Sequence, residues 1–362
     1  MSFIDQLISN TIRADVRAAS SYKVADRPGF LKLDAMENPY QLPAPLRAEL
    51  ATRLAQAELN RYPASYEALK QKACAKLGVP PDYGVILGNG SDELISLIAT
   101  ATARQDRRAV ILAPTPAFVM YQRSAQFAGM DFIGVPLQSD FTLDMPAMLA
   151  AIALHKPSVL FLAYPNNPTG NLYDAADMAE LIDALGDSGI AVVDEAYGPF
   201  ARTSFMGHLP EFENLVVMRT LSKLGLAGIR LGYMSAAPAL LAEFEKVRPP
   251  YNINVLTMIA ADFALEHLDV LDAQAVQLNA GRTALAAELA GLPGVEVFPS
   301  AANFLLLRVA DAEDTCAKLL ASRVLVKNMG KMGLLANCIR VTVSTPEENS
   351  AFLTALQAAL KP

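Results

Sequence analysis

Short apolar runs alternate with helix-length amphipathic segments through the middle of this chain. Six apolar, mostly β-branched runs predict strands at Val85–Leu87, Ala109–Leu112, Phe132–Val135, Val159–Leu162, Ile190–Val193 and Leu215–Met218. The segments between most of them predict helices at Asp92–Ala103, Ala117–Ala128, Met145–Ala153 and Ala175–Leu185. Continuous apolar strands that alternate with helices are typical of a mostly parallel sheet buried on both faces. We therefore expect a large α/β domain in this part of the chain.

The two ends of the chain follow different patterns. The first forty residues look irregular and end in a short strand-like piece, Leu31–Tyr40, which Pro39 stops. Two helical patterns follow, about Pro45–Ala57 and Ser65–Leu77. After residue 233 a helix is expected at Pro238–Val247, then a long proline-free stretch, Asn254–Ala290, broken only by Gly281. Strands are expected next at Val295–Phe298, Asn303–Val309, Val324–Val326 and Ile339–Val343, with a helix near Ala312–Ser322 and a capped last helix after Thr345. This mixed order predicts a smaller α+β domain.

Composition narrows the class of protein. A length of 362 residues favours about two domains, and 52% hydrophobic residues suffice for large cores. No apolar stretch predicts a membrane span, and the amino end does not resemble a signal peptide. The net charge of −7 argues against nucleic acid as a partner. Three widely spaced cysteines favour a reducing cytoplasm, and the three isolated histidines offer no metal-ligand spacing.

Unusual polar groups follow nearly every predicted strand of the large domain. After successive strands come G-N-G-S-D-E, A-P-T-P-A-F, A-Y-P-N-N-P-T-G, D-E-A-Y and R-T-L-S-K. In a parallel sheet the ligand sits beyond the carboxyl ends of the strands. The clustering of these groups at one edge therefore predicts a catalytic cleft.

The segment from Arg219 to Tyr233 is the richest in chemistry. Ser222, Lys223 and Arg230 lie among small residues, an arrangement that suits a loop holding an anion. A partly desolvated lysine at a strand end has a lowered pKa and can condense with an aldehyde. A solvated surface lysine is the alternative interpretation.

Three further groups have both a structural and a functional interpretation. The Gly88-Asn89-Gly90-Ser91-Asp92 loop before a helix could bind phosphate, although Glu93 stands where a dinucleotide-binding loop carries its third glycine. Asp194 at a strand end is either a helix cap or ion-pair partner, or it is the partner of a protonated ring nitrogen, with Tyr197 nearby. The N-N-P-T-G run at 166–170 is a turn signature whose amides could also reach a ligand.

Together these parts match the needs of pyridoxal phosphate, which requires a lysine, an acid for its ring nitrogen, donors for its hydroxyl, an aromatic plate and a phosphate cup. At this point the chain resembles the fold-type I pyridoxal-phosphate aminotransferases, and closely the histidinol-phosphate aminotransferases. The resemblance runs nearly end to end, through L-D-A-M-E-N-P-Y, N-R-Y-P, G-N-G-S-D-E, P-N-N-P-T-G, D-E-A-Y, R-T-L-S-K-L-G-L-A-G-I-R-L-G-Y, P-P-Y-N-I-N and C-I-R-V-T-V-S-T-P-E-E.

The resemblance implies a fold and a division of the chain. It implies a large domain with a mostly parallel seven-stranded sheet between helices, and a smaller α+β domain built from both chain ends. We expect residues 1–38 to form an N-terminal arm and part of the small domain. Residues 39–245 are expected to form the large cofactor-binding domain, and residues 246–362 the small C-terminal domain.

The resemblance also implies roles for individual residues. Lys223 would bind the cofactor aldehyde and move a proton, Asp194 would hold the ring nitrogen, and Asn167 and Tyr197 would bond the ring hydroxyl. Phe118 would stack on the ring. The phosphate would contact Gly90, Ser91, Asp92, Ser222 and Arg230, together with Tyr62 of the neighbouring subunit in a homodimer.

For the substrates, the resemblance implies that Arg340 receives the phosphate of histidinol phosphate in one half-reaction and a glutamate carboxylate in the other. Tyr22 and Asn38 fall at substrate-contact positions. Two residues depart from the pattern of the family: Lys327 stands where many members carry a second arginine, and Met36 replaces a commoner asparagine.

The expected reaction is therefore transamination between histidinol phosphate and 2-oxoglutarate. Three alternatives remain open: an aromatic amino-acid aminotransferase of the same fold, a nicotinamide dehydrogenase that uses the Gly88 loop, and a non-enzymatic pyridoxal-phosphate-dependent regulator.

Overall fold

The computed structural model describes residues 2–21, 27–63, 65–104, 106–330 and 333–361. The helices are α1 Phe3–Thr11, α2 Ala14–Ala18, α3 Ala44–Ala55, α4 Glu67–Lys76, α5 Gly90–Thr102, α6 Val119–Phe127, α7 Met145–His155, α8 Ala175–Leu185, α9 Pro238–Val247, α10 Val255–Glu266, α11 Leu268–Ala290, α12 Ala312–Ala321 and α13 Pro346–Ala359. The strands are β1 Leu31–Lys32, β2 Ile86–Gly88, β3 Val110–Thr115, β4 Asp131–Pro136, β5 Val159–Ala163, β6 Ile190–Asp194, β7 Leu215–Thr220, β8 Gly232–Ala236, β9 Glu296–Val297, β10 Phe304–Arg308, β11 Val324–Leu325, β12 Lys327–Asn328 and β13 Cys338–Thr342.

The large sheet has seven strands in the order β2-β8-β7-β6-β5-β3-β4. The strands β7, β6, β5, β3 and β4 are parallel to one another, and β8 runs antiparallel to both β2 and β7. Its strands are buried on both faces, as their continuous apolar sequences predict. The predicted α/β fold with a mostly parallel seven-stranded sheet is confirmed.

Two hydrophobic cores cover the faces of this sheet. One contains Leu160, Leu162, Val193 and Val217, while the other contains Phe161 and Val192 from the intervening positions. The alternation follows from strand geometry, because successive side chains point to opposite faces. A sheet packed on both faces is a rigid base for groups at its carboxyl edge.

A second sheet of four antiparallel strands, in the order β12-β13-β10-β9, has its own core. The segment near the amino end joins this region: β1 pairs in parallel with β11, and Leu33 and Met36 are buried in the same core. The strand β12 was not predicted. The domain boundaries at residues 38 and 245 stay predictions.

The sequence interpretation was wrong in two places. The first forty residues are not uniformly irregular, because α1 and α2 lie within them, and α1 begins at a capping box formed by Ser2 and Asp5. The stretch Asn254–Ala290 is divided at His267, between α10 and α11, whereas Gly281 lies inside α11. A single glycine lowers helix stability by only about 1 kcal/mol, so Gly281 does not interrupt α11. Among the described residues, no helix is both long enough and apolar enough to cross a bilayer.

Candidate active site

A cavity opens at the carboxyl ends of β5, β6 and β7, beside the segment that follows β1. It is lined by Met36, Ser91, Asp92, Phe118, Tyr121, Ala163, Pro165, Asn167, Asp194, Ala196, Tyr197, Thr220, Ser222, Lys223 and Arg230. Most of the residues that were predicted to contact the cofactor line this cavity. The register of the sheet explains their meeting, since Asp194 at the end of β6 lies opposite Ala163 of β5 and Met218 of β7.

One end of the cavity is built to bind an anion. Gly90 and Ser91 begin α5, where backbone N–H groups have no acceptor inside the helix. Arg230 lies close by: its Nη1 is 3.4 Å from Ser222 Oγ, and its Nη2 is 3.6 Å from Asp92 Oδ2. Gly90 has φ +76°, a conformation that favours glycine, and a Cβ there would lie 2.6 Å from Arg230 Nη2, so a larger residue would displace the guanidinium. The arrangement suits a phosphate group.

Lys223 lies on the floor of the cavity in the helical turn Ser222–Leu224, just after β7. Its Nζ donates to the carbonyl of Ala35 at 3.1 Å and lies 5.7 Å from the centre of the Tyr197 ring. Burial, and then the positive charge of Arg340, lower the pKa of Lys223 to about 8. About a tenth of the amine is therefore unprotonated at pH 7, and this neutral form can attack an aldehyde.

Asp194 is buried at the end of β6. It accepts hydrogen bonds from the phenol of Tyr121 at 2.8 Å and from the amide of Ala196 at 3.0 Å. Burial raises its pKa to about 6, although the Tyr121 hydrogen bond opposes that rise. No lysine, arginine or histidine in the described ranges forms an ion pair with this carboxylate. A cationic ring nitrogen in the cavity would supply the missing charge.

A chain of polar contacts joins the two sheets above Lys223. Asn167 donates to the phenol oxygen of Tyr197 at 3.1 Å, and Arg340 Nη1 donates to Asn167 Oδ1 at 2.5 Å. Arg340 Nη2 donates to the carbonyl of Asp34 at 3.1 Å, and its guanidinium lies 5.4 Å from the centre of the Phe304 ring. Arg340 on β13 is thus held against the cavity wall.

Five of the predicted residues that the structure describes do not line the cavity: Gly90, Asn38, Tyr62, Lys327 and Arg340. Tyr62 is 77% exposed and stacks on Tyr251 at 4.5 Å. Asn38 donates to the carbonyl of Leu224 at 3.2 Å, which places its amide behind the turn that carries Lys223. Lys327 pairs across the strands with Arg340, so the two cations share one face of the small sheet. Tyr22 lies outside the described residues.

Tyr121 was not among the residues predicted from the sequence, although the sequence contains a signal for it. Phe118 and Tyr121 are three residues apart at the start of α6, and this spacing places them on one helix face. The Tyr121 ring stacks on Phe161 at 4.3 Å and meets the edge of Phe118 at 5.8 Å. The same face thus supplies an aromatic wall and a donor to Asp194.

A cluster of potential metal ligands, Glu49, Glu266 and His267, lies away from this cavity. Glu266 there already bonds Arg53 at 2.7 Å and Lys72 at 2.9 Å. These two cations offset the charge of Glu266, so we interpret the cluster as an ion-pair network between α3, α4 and α10.

The fold and the cavity define the class to which the chain belongs. The profile of the family "Aminotransferase class I and II" matches residues 28–356, and the chain is a member of that family. It is 59% identical, over the whole of both chains, to histidinol-phosphate aminotransferase 2 of Cupriavidus pinatubonensis. It is also 59% identical to histidinol-phosphate aminotransferase 1 of Ralstonia nicotianae, with 99% of this chain and 96% of the relative covered.

Solved structures have the same fold. The histidinol-phosphate aminotransferase from Sinorhizobium meliloti, solved in complex with pyridoxal-5'-phosphate, superimposes with a TM-score of 0.84 at 23% identity and covers 97% of each chain. The histidinol-phosphate aminotransferase from Clostridium acetobutylicum gives a TM-score of 0.83 at 23% identity, covering 91% of this chain and 98% of its own.

Proposed function

We propose that this chain acts as a histidinol-phosphate aminotransferase in histidine biosynthesis. It transfers the amino group of L-histidinol phosphate to 2-oxoglutarate and yields imidazole acetol phosphate and L-glutamate. The observation that carries the proposal is the 59% identity, over full length, to relatives that bear this name. The cavity supports it, because it contains the groups that such chemistry needs.

The residues of the cavity fit pyridoxal 5'-phosphate. Asp194 is a buried carboxylate without a cationic partner in the described chain, and it would hold the protonated ring nitrogen. Asn167 and Tyr197 would bond the ring hydroxyl, and Phe118 would pack against the ring. The phosphate would bind at the start of α5 and would contact Gly90, Ser91, Asp92, Ser222 and Arg230.

When bound, the cofactor supplies an aldehyde that condenses with amines and a ring that withdraws electrons from the substrate carbon. Lys223 Nζ would hold the cofactor through its aldehyde and would later take the proton from the carbon that bears the amino group. The lowered pKa of Lys223 favours its role as a base near neutral pH. Asp194 keeps the ring nitrogen protonated, and Tyr121 holds the carboxylate oxygen in place.

The substrate end is proposed to be the pair Arg340 and Lys327. A planar guanidinium can bind a phosphate or a carboxylate through two hydrogen bonds, so one residue can serve both substrates in turn. Lys327 adds a second charge on the same face. Tyr22 and Asn38 are proposed as further substrate contacts.

The assembly is proposed to be a cytoplasmic homodimer in which Tyr62 reaches the phosphate of the neighbouring subunit. Two observations support this arrangement: Tyr62 is 77% exposed, and it lies outside the cavity lining of its own chain. A large exposed aromatic residue, stacked on a second one, is typical of an interface position.

The test compares kcat/KM for L-histidinol phosphate and for phenylalanine, with 2-oxoglutarate as acceptor. We expect the phosphate ester to exceed the aromatic amino acid by at least about tenfold, the equivalent of one hydrogen bond to a charged group. A preference for phenylalanine would establish the aromatic aminotransferase instead. Lys223→Ala should lose all turnover with both substrates, and normal turnover would contradict the whole assignment.

A further inference from the structure

Glu93 occupies the position at which the loop after β2 departs from a glycine-rich dinucleotide-binding sequence. The structure shows what the carboxylate does there. Glu93 Oε2 accepts from the backbone N–H of Asn89 at 2.7 Å and from the amide of Asn252 at 2.8 Å. The side chain thus bonds the residue that precedes α5 while standing in the first turn of that helix.

Asn252 binds the same loop from the other side. Its Nδ2 also donates to the carbonyl of Leu87 at 3.1 Å, and its carbonyl accepts from Asn89 Nδ2 at 2.7 Å. Asn252 is itself held by Arg248, whose Nη1 donates to Asn252 Oδ1 at 2.7 Å. The loop between β2 and α5 is therefore clamped to the segment that leads into α10.

The clamp bears on the anion-binding end of the cavity. Because Glu93 accepts the N–H of Asn89, it fixes the loop just before the N–H groups of Gly90, Ser91 and Asp92. These groups begin α5, and the start of a helix presents N–H groups that lack an acceptor within the helix. Gly232 of β8 packs closely on Gly90: a Cβ added to Gly232 would lie 2.7 Å from the carbonyl carbon of Gly90.

We propose that Glu93 and Asn252 are positioning residues for the cofactor phosphate, acting by holding the first turn of α5 in the orientation that binds it. The inference rests on the proposed function. Glu93 acts through its hydrogen bonds and not through its charge, since a negative charge near a phosphate opposes binding. Glutamine, which keeps an acceptor oxygen, should therefore replace it, whereas alanine should not.

The experiment measures dissociation constants on the chain freed of cofactor, by calorimetric titration with pyridoxal 5'-phosphate and, separately, with pyridoxal, which lacks the phosphate. For Glu93→Ala we expect the affinity for pyridoxal 5'-phosphate to fall about tenfold or more, because the two hydrogen bonds that Glu93 accepts from Asn89 and Asn252 are lost. The affinity for pyridoxal should change less than about threefold. Glu93→Gln should stay within about threefold of the unmodified chain for both ligands.

Asp174→Ala is the matched control, because Asp174 caps α8 by accepting from the amides of Ala176 and Asp177, away from the cavity lining. It should leave the ratio of the two affinities unchanged. If Glu93→Ala does not fold, Asn252→Ala supplies the same comparison. Equal weakening of both ligands, or none, would overturn the inference. Failure of the unmodified chain to bind pyridoxal 5'-phosphate would instead contradict the proposed function.

Discussion

Lys223 and Asp194 depart from ordinary acid–base behaviour in opposite directions for one physical reason. Burial disfavours the charged form of each group, so the pKa of the lysine falls to about 8 and that of the aspartate rises to about 6. Both pKa shifts suit a site that binds a ligand with an aldehyde and a cationic ring. The aldehyde needs the neutral amine, and a protonated ring nitrogen restores the charge balance around the carboxylate.

Asp194→Asn should stabilise the cofactor-free chain at pH 8. The folded pKa of about 6 lies above the ordinary 3.8, so this group favours folding at low pH and loses that contribution as pH rises through 6. The difference between these two pKa values corresponds to a change in the free energy of unfolding of about 3 kcal/mol at most. Urea unfolding at pH 5 and pH 8 should show a smaller pH dependence in the variant, and an unchanged dependence would contradict the assignment.

The rate at which the cofactor-free chain recaptures pyridoxal 5'-phosphate should rise with pH through about 8. The neutral amine of Lys223 is the reacting form, and its pKa is lowered to that value by burial first and by Arg340 second. Stopped-flow absorbance between pH 6.5 and 9.5 measures it. A rate that still rises steeply at pH 9.5 would mean that the lysine is solvated and keeps a pKa near its ordinary 10.5.

At the scale of elements, the end of β6 carries two carboxylates with different tasks. Asp194 faces the cavity, whereas the fully buried Glu195 accepts from Arg219 Nε at 2.8 Å and from the amide of Phe205 at 2.5 Å. Arg219 belongs to β7 and also donates to Ser204 Oγ at 2.6 Å. The ion pair thus ties β6 and β7 to the loop that follows the site.

Glu195→Ala should lower the free energy of unfolding by about 3 kcal/mol, because it leaves the partly buried guanidinium of Arg219 without its anion. Urea unfolding measures the loss, and Glu213→Ala, at an exposed position, is the control and should change stability by less than about 0.5 kcal/mol. A loss below about 1 kcal/mol would show that solvent replaces the ion pair.

The elements differ in how far the sequence predicted them. The strands from β2 to β7 were found within a few residues of their predicted bounds, because an apolar β-branched run has few other uses. The helix α1 was missed, although Phe3 and Leu7 lie four residues apart, as on one face of a helix. Both side chains are exposed in this chain. The capping box of α1, Ser2 with Asp5, was a further available signal.

At the scale of the whole molecule, the two sheets meet at the site. Arg340 comes from the small sheet and bonds Asn167, which lies in the loop after β5 of the large sheet. The segment after β1 contributes the carbonyls of Asp34 and Ala35, which accept from Arg340 and Lys223 respectively. The proposed substrate and cofactor positions are therefore formed by residues far apart in the sequence.

The proposed dimer can be tested by complementation between two inactive variants. Tyr62→Ala should bind the cofactor weakly, and Lys223→Ala should be inactive. Hybrids contain one intact site, made from Lys223 of the first chain and Tyr62 of the second. Refolding equal amounts together should restore about a quarter of the unmodified activity, given random pairing of protomers.

Unmixed variants provide the baseline for that measurement. Light scattering should give a mass of twice 38.8 kDa for each. No recovery of activity on mixing would show that Tyr62 acts only within its own chain or not at all.

The sequence by itself determined the alternation of strands and helices and the chemistry gathered at one sheet edge. Both follow from local causes: apolar periodicity sets the elements, and parallel strands bring their carboxyl ends together. Tertiary structure alone decided that Tyr121 bonds Asp194, that Arg340 meets Asn167, and that Glu93 clamps the loop before α5. These contacts depend on how the elements pack and where each side chain points, and local sequence patterns do not reveal either.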